Sequence, residues 1–125
     1  MTRAAHESDQ AYDVIERIET LERIAGTLPD QDDRRQALLD LVKKDLSSAQ
    51  PLRPRLAAEV LDLSEKIVRA WTKEGILTRA ARPSSPVHLD FERVHEVLLV
   101  VQDLRAAGHT VGLIDEVHRR LLDAA

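Results

Sequence analysis

The chain has 125 residues, which suffices for one modest hydrophobic core with a helical extension but not for two full-sized domains. It contains no cysteine, which excludes disulfides, thiolate metal ligands and cysteine nucleophiles, and its few glycines, prolines and aromatic residues favour helix over sheet. The net charge is −4, but residues 51–88 hold seven basic and four acidic residues, whereas both flanking segments are acidic. A phosphate-binding surface is therefore expected only in the central segment.

The N-terminal segment is predicted to form a helical hairpin. Its first helix is expected from about Ser8 to Thr27, with Pro29 ending it, and Asp30 or Asp32 can cap the second helix. The apolar stripe of the first helix consists of Ala11, Val14, Ile18, Leu21, Ala25 and Leu28. The predicted apolar face of the second helix consists of Leu38, Leu41, Val42 and Leu46. The first stripe packs either against the second helix or across a dimer interface, and both interpretations stay open.

A boundary is predicted near residue 50, because Pro51 and Pro54 disfavour helix at the residues before them. Residues 1–50 are thus expected to form the hairpin and residues 51–125 a second unit. In the second unit we predict helices at 56–62 and 65–74, a loop or short β-wing from Leu77 to Leu89, a helix that Asp90 caps, and a final helix that Thr110 caps. The expected core face of the helix after Asp90 consists of Phe91, Val94, Val97, Leu98, Val101 and Leu104.

Residues 56–75 have the pattern of a helix-turn-helix. Ala58 is small enough for the helix crossing, Asp62 tolerates the left-handed conformation that a tight turn requires, and Ser64 can cap the second helix. The inward face of that helix is expected to be Ile67, Val68 and Trp71, with the tryptophan as a core anchor. Its outward face carries Lys66, Arg69 and Lys73, whose donors match guanine edges and phosphates.

This segment resembles the winged helix-turn-helix domain of the MerR and excisionase families. The matching residues are Ala58, Leu63, Ser64, Ile67, Val68, Arg69, Trp71, Gly75 and Leu77, and Asp62 stands where those families have glycine. The MerR-like order of elements continues through a wing, a helix with Leu104, Arg105, Gly108 and Thr110, and a short final helix. The resemblance covers roughly residues 52–122.

The resemblance implies a recognition helix in the major groove, a wing on the DNA backbone or in the minor groove, and a dimer on a twofold site. Carried over by position, Arg69 holds a phosphate, and Lys66 and Lys73 contact bases or phosphate. Arg79 and Arg82 would serve the wing, although ordinary solvated loop charge explains these two arginines equally well. MerR regulators dimerise through a helix that follows this domain, whereas the extra helices predicted in this chain precede it.

Other chemistry has weaker support in the sequence. A metal site could be drawn from His88, Glu92, His95 and Glu96, but surface polarity is the favoured interpretation. The carboxylates of the first helix are interpreted as a solvated face: Asp13, Glu16, Glu19 and Glu22. Neither a glycine-rich phosphate loop nor a nucleophile paired with a base is visible in the sequence, so we predict that the chain is not an enzyme and uses no cofactor or metal.

The sequence therefore predicts a mainly α protein, a winged helix-turn-helix domain preceded by an N-terminal helical hairpin. We expect it to be cytoplasmic and nucleoid-associated, without membrane contact, because its apolar runs are short and it starts with no apolar signal segment. The predicted function is sequence-specific binding of double-stranded DNA as a homodimer, as a small transcriptional repressor or autoregulator. Two alternatives are an antitoxin whose hairpin binds a protein partner and an excisionase-like architectural factor.

Overall fold

The computed structural model describes residues 3–80, 87–108 and 112–123, with side chains for residues 8–80, 87–108, 112 and 115–121. The chain is mainly α, as predicted, and the described residues form helices but no strand. The helices are α1 Arg3–Gly26, α2 Asp33–Ser48, α3 Pro54–Leu61, α4 Glu65–Lys73, α5 Phe91–Ala106 and α6 Leu113–Asp123. They fall into two compact units, Met1–Gln50 and Pro51–Ala125.

The first unit is a helical hairpin. Its first helix starts earlier than expected, at Arg3, because the residues before Ser8 include helix-favouring alanines. After Gly26, the Thr27 hydroxyl donates to the Ile24 carbonyl oxygen at 2.6 Å, and residues 27–32 return the chain. Of the two aspartates proposed as caps, Asp32 caps α2, since its Oδ1 accepts from the Arg34 backbone N at 2.9 Å.

The core of the hairpin lies between α1 and α2. Three residues of α1 that lie seven residues apart are buried, namely Ala11, Ile18 and Ala25, and Val42 of α2 is buried as well. The apolar stripe of α1 is thus covered in part within the chain itself, since Ala11, Ile18 and Ala25 are buried, whereas its other three residues are half-buried. The prediction for Leu41 is wrong, because it is 49% exposed: it precedes Val42 by one residue and is therefore rotated about 100° away from the buried face.

The second unit is built around α5. Its predicted apolar face is confirmed, since all six residues predicted for it are buried. His95 lies on this face too and is only 7% exposed, so the interpretation as surface polarity is wrong for this residue. The Asp90 cap is confirmed by a 3.3 Å hydrogen bond to its Oδ2 from the Arg93 backbone N. The predicted Thr110 cap falls outside the described residues, and α6 buries Val117 and Leu121.

The segment predicted to be a loop or β-wing forms no strand in its described parts, residues 77–80 and 87–89. Instead, Leu89 makes isolated antiparallel bridges to Leu52 on one side and Arg79 on the other. The pairing is short because Asp90, the next residue, already caps α5. Residues 81–86, including Arg82, are outside the described part of the structure. Across the described helices, none is both long and apolar enough to cross a lipid bilayer.

Candidate nucleic-acid interface

The turn between α3 and α4 has the geometry that was expected of a helix-turn-helix. Asp62 adopts the left-handed conformation, with φ 54° and ψ 49°, and it is the one non-glycine residue with positive φ in the described chain. The backbone N of Leu63 donates to the Ala58 carbonyl at 3.0 Å, and that of Asp62 to the Glu59 carbonyl at 3.2 Å. These bonds satisfy the last carbonyls of α3 and reverse the chain sharply.

The start of α4 is fixed by a side-chain cap. The Ser64 Oγ accepts a hydrogen bond from the Ile67 backbone N at 3.2 Å, as the sequence predicted, and Glu65 places a negative charge in the first turn. On the inner side of the helix, Val68 and Trp71 are fully buried. The tryptophan is therefore confirmed as a core anchor, and α4 has only its opposite side available for a ligand.

That outer side carries the three predicted cations. Lys66, Arg69 and Lys73 are all exposed, and a rotation of 100° per residue places them within an arc of about 60°. Ala70 is exposed beside them, so a small side chain lies next to this cationic face. Such a surface allows the helix backbone to approach a groove closely while its long cations extend to acceptors on either side.

One of these cations has a carboxylate partner on the same helix. Arg69 donates to the Glu65 Oε1 through Nη2 at 2.7 Å and through Nε at 3.2 Å. The side chains of Arg69 and Glu65 are 63% and 43% exposed, so water and ions have access to both groups. An exposed pair of this kind contributes little to stability, and an incoming phosphate can replace the carboxylate.

Helix α5 holds the turn in place through Arg105. This side chain donates from Nη1 to the Leu61 carbonyl at 3.0 Å and from Nη2 to the Asp62 carbonyl at 2.8 Å. Both acceptors belong to the end of α3, where carbonyl groups lack partners within the helix. The arginine therefore connects α5 to the turn and stabilises its left-handed conformation.

A second arginine of α5 holds the other end of α4. Arg93 donates from Nε to the Ile76 carbonyl at 2.7 Å, directly after the glycine that ends the helix, Gly75, with φ 84°. The backbone N of Ile76 in turn donates to the Trp71 carbonyl at 2.9 Å. The helix-turn-helix is thus attached to α5 at the turn and at the end of α4.

Of the two arginines assigned to the wing, one lies in the described part of the structure. Arg79 is exposed and lies at the base of the segment, where the Ala80 backbone N donates to the His88 carbonyl at 2.9 Å. The other arginine assigned to the wing, Arg82, belongs to the part that the structure does not describe. The structure therefore brings together Ser64, Lys66, Arg69 and Lys73 on one helix, with Arg79 on a separate segment.

Sequence reasoning missed three contributors to this site. Arg105 matched the family pattern but was given no role, because spacing along the chain cannot reveal a contact across more than 40 residues. Glu65 was not identified as the partner of Arg69, although the i,i+4 spacing of these two residues is a signal for an ion pair. Ala70 was not considered, although its position about 40° from Lys66 on a helical wheel would have placed it on the outer face.

Metal and family comparisons add no further assignment to the site. Within the described residues, histidines and carboxylates form no group of three that could hold a metal ion. Comparison of the chain with models of protein families, with curated proteins and with solved structures found no match.

Proposed function

We propose that this chain is a sequence-specific double-stranded DNA-binding protein that acts as a homodimeric transcriptional repressor or autoregulator. The observation that carries this proposal is the α3–turn–α4 arrangement, in which a capped helix with a buried inner side exposes Lys66, Arg69 and Lys73 on its outer side. A convex, cationic helix surface does not enclose a small molecule. It is suited to insertion into the major groove, whose width admits one α-helix.

In the proposed complex, α4 lies in the major groove with Ala70 against the base edges. Lys66 and Lys73 donate to guanine or phosphate acceptors, and Arg69 leaves Glu65 for a phosphate of the backbone. The Ser64 hydroxyl lies at the helix N-terminus, where partial positive charge also attracts phosphate. The bridged segment with Arg79, and Arg82 beyond it, would act as a short wing on the adjacent backbone.

A homodimer belongs to the proposal because one small recognition helix makes few contacts. A helix-turn-helix dimer contacts two half-sites one DNA turn apart, which multiplies the contacts and provides specificity. Repression would follow from occupation of a promoter by the bound dimer. The location expected for such a protein is the cytoplasm, at the nucleoid.

The test is selection of bound sequences from a random duplex library, followed by binding measurements at several salt concentrations. An enriched motif is expected. The logarithm of the binding constant should fall with the logarithm of the salt concentration with a slope of about −5 if six cations of the dimer neutralise phosphates.

Arg69→Ala should weaken binding to every sequence and flatten the slope by about 2 for the dimer. Lys66→Ala should relax the preference at one base pair by roughly 1 to 3 kcal/mol if it contacts a base.

Arg119→Ala is the matched control for Arg69→Ala. Arg119 is 64% exposed on α6 and pairs with Glu116 at 2.6 Å, so its removal deletes the same charge and the same kind of surface ion pair. Its effect on affinity and on the salt slope should be small. Enrichment of no motif, or equal binding by the Arg69→Ala variant and the parent, would overturn the proposal.

A further inference from the structure

The hairpin has an exposed apolar patch on one side. Ile24 of α1 is 44% exposed and Leu41 of α2 is 49% exposed. Each of them directly precedes a buried residue, Ala25 and Val42 respectively, so each is rotated by about 100° in the same sense from its buried face. The two helices are antiparallel and their buried faces point toward each other. Rotations of equal size and sense about the two helix axes therefore turn both side chains toward the same side of the hairpin. The two largest exposed aliphatic side chains of the hairpin are therefore on a common side.

Uncharged residues and charges both surround this patch. Thr20 lies one turn before Ile24 on α1, and Ala37 lies one turn before Leu41 on α2. Lys44 and Asp45 lie one turn after Leu41 and belong to its charged rim. The ion pair between Arg17 and Asp45, 2.8 Å long, marks its edge toward the open end of the hairpin. An apolar centre with a charged rim is the arrangement found in protein interfaces.

We infer that this side of the hairpin is the surface on which a second copy of the chain docks, so that Ile24 of one copy contacts Leu41 of the other. The choice of a second copy rests on the proposed function, since a helix-turn-helix that contacts two half-sites needs a twofold partner. A twofold axis parallel to the helices brings α1 against the partner copy's α2, and the reverse, which makes the contact self-complementary.

The charges of the two helices agree with this pairing. Helix α1 holds six acidic and three basic residues, whereas α2 holds three acidic and four basic residues. Contact between α1 and the partner copy's α2 therefore opposes unlike net charges, while contact between two copies of α1 would oppose like charges. The dimer is expected to be a four-helix bundle of two antiparallel hairpins.

The test uses the full chain and measures its mass by sedimentation as a function of concentration. The parent should be a dimer, and Ile24→Glu and Leu41→Glu should each raise the dimer dissociation constant by at least about tenfold, because each would bury a charge against apolar side chains. The matched control is Tyr12→Glu. Tyr12 is 42% exposed but follows the buried Ala11, which places it on the opposite side of α1, so its substitution should leave the dimer intact.

The absence of cysteine from the sequence provides a second measurement. An equimolar mixture of the Ile24→Cys and Leu41→Cys variants should form a disulfide-linked dimer on mild oxidation, whereas Tyr12→Cys mixed with Leu41→Cys should not. A monomeric parent, a dimer that both glutamate variants leave unchanged, or crosslinking only through Tyr12→Cys would each overturn the inference. A parent dimer that loses its mass in both glutamate variants but enriches no DNA motif would instead refute the proposed function and support this surface.

Discussion

Arg69 has an anionic partner on its own helix. Its guanidinium is held by the Glu65 carboxylate at 2.7 Å, and that carboxylate would lie close to any phosphate that replaces it. We expect Glu65→Gln to tighten binding to a single half-site about fivefold at low salt, since removal of ~1 kcal/mol of repulsion between exposed charges corresponds to a factor of this size. Titration of a labelled duplex measures this directly.

A matched variant separates this local effect from the change in net charge. Glu59→Gln removes the same charge from an exposed position of α3, outside the outer face of α4. Its effect on affinity should be clearly smaller than that of Glu65→Gln. Equal effects of the two variants would show that net charge matters and that the Arg69–Glu65 pair does not.

Arg105 is expected to determine the stability of the turn. Arg105→Ala removes both donors to the Leu61 and Asp62 carbonyls, and we expect a loss of about 1 to 3 kcal/mol in the free energy of unfolding of the second unit. Arg105→Lys should recover part of this loss through one hydrogen bond. Urea unfolding followed by tryptophan fluorescence reports on this unit alone, because Trp71 is the single tryptophan of the sequence. Arg120→Ala, an exposed arginine on α6, is the control and should leave the midpoint unchanged.

The turn between α3 and α4 contains backbone strain at Asp62. Asp62 has φ 54°, a region where glycine meets no steric penalty, and an added Cβ is the cause of the cost. Asp62→Gly should therefore raise the free energy of unfolding by about 0.5 to 1 kcal/mol, and Asp62→Ala should lower it. Destabilisation by glycine in the same urea experiment would mean that the aspartate side chain contributes more than its backbone conformation costs.

The cap of α2 predicts a response to acid. The hydrogen bonds that Asp32 accepts from the Arg34 side chain and backbone lower the pKa of its carboxyl from 3.8 to about 2. Because the folded-state pKa is depressed, the stabilisation is fully present above the ordinary pKa and is lost as the pH falls through about 2. The Arg34 amide resonance should shift with a midpoint near pH 2, and Asp32→Asn should abolish this titration while it keeps a capping oxygen. A midpoint near 4 would show that the carboxyl is not engaged with Arg34.

The sequence predicted the elements better than their surfaces. The caps at Ser64 and Asp90 follow from residues within one helical turn, and the buried face of α5 follows from its periodicity, so both could be foreseen. The exposure of Leu41 could not, because a two-helix unit covers less of each helix than the breadth of its apolar pattern suggests. The burial of His95 was missed because the buried face of α5 is broad enough to include a polar position between its apolar ones.

The contacts of α5 lay beyond sequence reasoning altogether. Arg93 and Arg105 reach carbonyl groups 17 and 43 or 44 residues away, and no local pattern specifies such partners. The helix-turn-helix itself could be located because the spacing of Ala58, Asp62, Val68 and Trp71 is local. The cationic face of α4 was foreseen on the same basis, whereas the elements that hold it in place were not.

The proposed dimer predicts a spacing rule for its DNA. Two recognition helices joined by one hairpin interface should prefer inverted half-sites about one turn apart. Insertion of five base pairs between the half-sites places them on opposite faces of the duplex, so affinity should fall by at least about 100-fold toward that of one half-site. The Leu41→Glu variant should bind both duplexes alike. Equal binding of the two duplexes by the parent would contradict a fixed dimer.

The two arginines of α5 also have a thermodynamic consequence. Because Arg105 holds the turn before α4 and Arg93 holds the segment after it, α4 would need no ordering to form the proposed complex with DNA. Calorimetry should then show a modest heat-capacity change, in proportion to the apolar surface buried at the interface, without the larger change that accompanies coupled folding. In the Arg105→Ala variant, part of the binding free energy would be spent on ordering the turn, and the heat-capacity change should become more negative.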